Sequence, residues 1–160
     1  IRDAISSASR MIDRLEWLRK DLSELRTMLA AEGGRAGPAV AELDSASVGE
    51  LDRGARELAE RAVEVEGRLF DVNLTGARED AFRNPNRLYG RLSALLYEVS
   101  VASGDSPPTD QQRQVFDLLS ERLEKARAAY RQLLEEELPA YRSRLRRAEI
   151  PFSPAAGPGG

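Results

Sequence analysis

Apolar side chains recur along this chain at alternating intervals of three and four. Ala8, Met11, Leu15, Leu18, Leu22, Leu25 and Leu29 form the first run. One side of an α-helix returns every three to four residues, so the run predicts an amphipathic helix with a single buried stripe. Gly33 and Gly34, with Gly37-Pro38 after them, predict its stop, since glycine accepts the left-handed backbone that closes a helix. A second run, Leu51, Ala55, Leu58, Ala62, Val65, Leu69 and Val72, predicts a second helix. Val40 and Leu43 extend it upstream toward Pro38, a favoured first helical position. Ser45, Ser47, Gly49 and Gly54 weaken that stretch. The reading preferred is one long helix with a frayed or bent first half, and a break around 44–48 is the alternative.

The stretch VNLTGAREDAFRNPNRLYGRLSALL at 72–96 interrupts the pattern. Residues 73–85 read as a connection between helices. Pro85 disfavours helical backbone at Asn84, so the third helix is expected to start near Pro85 or Asn86. Leu88, Leu92, Leu95, Val99 and Ala102 carry its stripe. SGDSPPTDQQ then ends it and opens the last helix. Thr109 and Gln112 fit a capping box, in which each side chain accepts a hydrogen bond from the other residue's backbone N–H. Phe116, Leu119, Leu123, Ala126, Tyr130 and Leu133 follow as the fourth stripe. Pro139 should bend or interrupt this helix, lacking an N–H and crowding the preceding turn. Leu138, Tyr141 and Leu145 predict that it continues afterwards.

Four such stripes joined by polar turns, with no competing strand pattern, predict an all-α fold: an antiparallel up-and-down bundle of about four helices. The bundle is expected over 1–150, and 151–160, PFSPAAGPGG, as a disordered tail. Acid-before-base pairs four apart support the exposed faces: Glu16/Lys20, Asp52/Arg56, Glu57/Arg61, Glu64/Arg68 and Glu121/Lys125. Each contributes only ~0.2–0.5 kcal/mol.

Composition changes this picture mainly by subtraction. Among 160 residues there is no cysteine and no histidine. No thiolate nucleophile, disulfide or Ser-His arrangement is therefore available, and the commonest general base and metal ligand are missing. A net charge of −3 with interspersed signs does not suit a polyanionic partner, so no nucleic acid is expected. No apolar run approaches the ~20 residues that span a bilayer. Ile1 opens directly into a helical pattern without a Met, which reads as a piece of a longer protein.

Candidate chemistry is sparse. Glu135, Glu136 and Glu137 offer oxygen ligands, but consecutive helical residues point different ways and read as a solvated face. Arg142, Arg144, Arg146 and Arg147 are a basic cluster that the dipole at a helix C-terminus accounts for. Asn73-Leu74-Thr75 matches a glycosylation sequon, a tripeptide common by chance. Trp17 borders the first stripe and reads as cover for a seam between helices. Met11, Met28, Phe116 and Tyr130 read as core. No catalytic residue, cofactor or metal ligand is assigned.

The spelling of the second half adds a resemblance. AREDAFRNPNRLYGRLSALL, the SGDSPPTDQ turn, the helix after it, LPAYRSRL and the closing IPF span about residues 77–152. Together they resemble the C-terminal helical region of secreted bacterial β-propeller proteins of the BNR-repeat, sortilin-like kind, often described as glycosyl-hydrolase-like or exo-sialidase-like. The first two helices agree with that region in character only. The resemblance implies an extracellular or periplasmic, non-catalytic accessory domain that packs on or presents a propeller of the same parent chain. None of the propeller's own motifs lies in this chain, so no functional residue carries over. The off-stripe side chains Trp17, Tyr89, Leu96, Tyr97 and Leu134 are the candidate interface. The alternative is a homo-oligomerisation module that uses the same residues between copies.

Overall fold

Helix α1 spans Arg2–Leu29, and every member of the first stripe is buried, from Ala8 to Leu29. Ala4 and Ile12 widen the same face. The computed structural model describes residues 1–30, 40, 43–71, 87–102 and 106–154, so the glycines expected to stop α1 lie outside the described residues. The same holds for the connection at 73–85 and its sequon.

Helix α2 spans Ser45–Leu69. Leu43 and Asp44 are not helical, so one continuous helix from Pro38 does not form and the break is the outcome. The reason is local chemistry. The Ser47 N–H donates to Asp44 Oδ1 at 2.7 Å, and the Val48 N–H donates to the Asp44 carbonyl at 3.1 Å. Asp44 is thereby an N-cap, satisfying a donor that a helix start leaves free. Those bonds from Ser47 hold its carboxyl below the usual range, although it is exposed.

Helix α3 spans Leu88–Tyr97 and runs on into a wider π-helical turn, Glu98–Ala102. It starts later than expected, because Arg87 is extended, with φ −79° and ψ −174°. Helix α4 spans Asp110–Gln132. Its capping box forms as predicted: the Thr109 N–H donates to Gln112 Oε1 at 2.9 Å and the Gln112 N–H to Thr109 Oγ1 at 3.2 Å. A second π-helical turn, Leu133–Glu137, leads without interruption into α5, Leu138–Arg147. With α4, this turn and α5 forming one rod, the protein is an all-α bundle of about four helices.

Pro139 neither ends nor interrupts that rod. A proline there would ordinarily crowd the carbonyl four residues back and leave it unpaired. Instead the Leu138 N–H donates to the Leu133 carbonyl, five residues back, and Pro139 falls in the first turn of α5, where its missing N–H is tolerated. The turn also absorbs an irregular spacing. Leu133 and Leu138 are five apart, yet both are buried.

The chain divides into two compact units. The first comprises Ile1–Ile12 and Glu64–Tyr130. Within it Ala8, Met11, Leu69, Leu92, Leu95, Leu119 and Leu123 are buried, and Arg127 Nε donates to Ser7 Oγ at 3.2 Å. The second comprises Asp13–Val63 and Arg131–Gly160. There α2 and α5 run antiparallel: Leu51 meets Tyr141, while Arg61, ten residues on, meets Glu137 at 3.5 Å. Each leucine so enclosed contributes ~1.5–3 kcal/mol relative to exposure.

The second unit closes beyond α5. The Ile150 N–H donates to the Leu145 carbonyl at 2.9 Å and the Glu149 N–H to Arg146 at 3.1 Å, the paired bonds of a Schellman cap. Ile150 and Leu145 are both buried, the apolar contact that accompanies such a cap. Residues 151–154, expected within a disordered tail, are placed against α1. Pro151, Phe152 and Ser153 line a groove of about 220 Å³ with Asp21, Glu24, Leu25 and Met28. Part-burial of the Phe152 ring gives this segment a hydrophobic reason to stay.

Candidate functional site

Opposite charges do not all meet where helical spacing puts them. Arg68 pairs with Glu64 at 2.6 Å, as expected for residues four apart. Asp52, however, accepts from Arg26 Nε at 2.8 Å across α1 and α2, which raises the Arg26 pKa above its ordinary value. Arg61 likewise reaches Glu137, so one of the three consecutive glutamates holds a helix pair. Lys20 places its ammonium 5.0 Å from the centre of the Trp17 ring. The Arg26–Asp52 and Arg61–Glu137 contacts fasten separate segments of the second unit, while the other two each lie within one helix.

Two carboxylates that the periodicity did not single out are buried, Glu66 and Asp71. A buried charge requires a partner. Asp71 Oδ2 lies 3.9 Å from Arg87 Nε, and Glu66 is also partnered. Burial pushes the Tyr141 phenol up to about 12. Its hydroxyl donates to the Leu51 carbonyl at 2.7 Å, which makes it a packing element. Among the described residues no group of three or more carboxylates is arranged to hold a metal ion. None of the described helices is long and apolar enough to cross a membrane.

The interface candidates are divided between the units. Tyr89, Leu96 and Tyr97 belong to the first, Trp17 and Leu134 to the second. Tyr97 is 65% exposed, whereas Tyr89, Leu96, Trp17 and Leu134 are part-buried. The structure adds three residues that the sequence reading left out, Val101, Val115 and Leu118, which are 61%, 40% and 48% exposed. All three lie in the first unit with Tyr97. Tyr97 and Val101 are four apart along α3 and its π turn, and Val115 and Leu118 three apart on α4, spacings that put each pair on one side of its rod.

Between these rods a cleft of about 350 Å³ is lined by Ile1, Val99, Pro108, Gln112, Arg113, Phe116 and Asp117. Val99 and Phe116 were expected in the core because they sit on stripes, yet they are only part-buried. A signal was present. On α4 the stripe residues Phe116 and Leu119 are each preceded by another apolar residue, Val115 and Leu118, which doubles the row outward.

In the second unit a cleft of about 310 Å³ is lined by Leu43, Ser47, Glu50, Leu51, Arg144, Arg147 and Ala148. Arg144 lies 5.8 Å from the centre of the Tyr141 ring, and Glu50 lies 4.0 Å from Arg53. The arginines of 142–147 sit in the last two turns of α5, where cations complement the helix dipole.

No family model, curated protein or solved structure matches this chain.

Proposed function

We propose that this chain is a non-catalytic accessory helical domain that packs against, or presents, a β-propeller of a secreted, glycosyl-hydrolase-like protein. The observation that supports the docking role is the exposure of four large apolar residues in the first unit. Tyr97, Val101, Val115 and Leu118 stay 40–65% exposed on the two rods that share the Val99–Phe116 cleft. Solitary exposed apolar residues are ordinary, but four on adjoining elements beside an apolar cleft favour a protein partner. Naming that partner a propeller, and its location extracellular or periplasmic, rests on the resemblance over 77–152.

Light scattering on the purified chain, with hydrogen exchange on it alone and within the full-length protein, tests this reading. The expected result is a monomer whose amides around 97–101 and 115–118 exchange more slowly in the full-length protein. Equal exchange in both settings would remove the docking face. A dimer that dissociates on dilution, or is lost in Tyr97→Ala, would assign the same row to self-association instead.

A further inference from the structure

We draw no further inference here: the strongest candidate, the arginine-walled cleft between the first turns of α2 and the last turns of α5, lies beside its own carboxylates, Glu50 and the capping Asp44, and its cations complement a helix end, so nothing in the structure points to a ligand for it.

Discussion

The ring of Tyr141 rests on the backbone of Gly54. A β-carbon added at Gly54 would stand 2.7 Å from Cε2 and 3.0 Å from Cδ2 of that ring. The ring has little freedom to retreat, since Tyr141 is 1% exposed and its hydroxyl is tied to Leu51. A residue that costs α2 some helix propensity thereby sets how closely α5 approaches.

Gly54→Ala should destabilise the fold by up to ~2 kcal/mol, because overpacking costs ~1–3 kcal/mol while improved helix propensity returns only ~1. Gly49 and Gly67, on the same helix, have open space where a β-carbon would go. Gly49→Ala and Gly67→Ala should each stabilise by ~0.5–1 kcal/mol. Urea unfolding of the three variants checks the contrast, and a stabilised Gly54→Ala would show that the ring yields freely.

Tyr141→Phe should cost ~0.5–1.5 kcal/mol at neutral pH through loss of the bond to Leu51. The pH dependence follows from the raised phenol. Burial is the main cause, with Arg144 pulling the pKa down and Asp52 pushing it up. An unfolded tyrosine ionises near ~10, below the folded value, so it is the unfolded state that gains on deprotonation first. The contribution is whole below about pH 10 and is lost as pH rises toward about 12. The stability gap between the protein and Tyr141→Phe should therefore narrow across that window when both are unfolded in urea.

Pro139→Ala should change stability by less than ~1 kcal/mol, against ~3 for relieving a proline inside an ordinary helix. The wider turn at Leu133–Glu137 already accommodates it in the first turn of α5. A gain near the larger value in denaturant unfolding would mean that the proline strains the rod.

Glu149 has φ 59°, the left-handed conformation at the cap position that glycine usually fills. Glu149→Gly should stabilise by ~1 kcal/mol, since that backbone costs a side-chain-bearing residue ~1–2 kcal/mol. Calorimetry on this variant gives the sign directly.

The buried stripe of α1, and of α4 from Leu119 to Ala126, was legible because each apolar position answers to one helical period, and burial follows period wherever neighbouring helices cover the face. The Thr109–Gln112 box was legible because its two bonds lie within four residues. What escaped depended on chain segments far apart in sequence. Gly54 reads as a weakness until Tyr141, 87 positions later, is placed on it. Asp52 has a plausible partner at Arg56 until Arg26 arrives from α1. Phe116 and Val99 obey the period, but the ends of α3 and α4 leave their stripe incompletely covered. Of the exposed apolar residues, Tyr97 stood out as an off-stripe aromatic, while Val115 and Leu118 were hidden by their proximity to stripe residues.

The five-residue step from Leu133 to Leu138 has an evolutionary reading. Adding one residue to an α-helix turns everything beyond it by about 100° and would swing Tyr141 and Leu145 out of the second unit. Here the widened turn takes up that rotation locally, so the one residue beyond regular spacing leaves Tyr141 and Leu145 buried. A single inserted residue can thus be held in one turn of a helix while the hydrophobic faces on either side keep their aim.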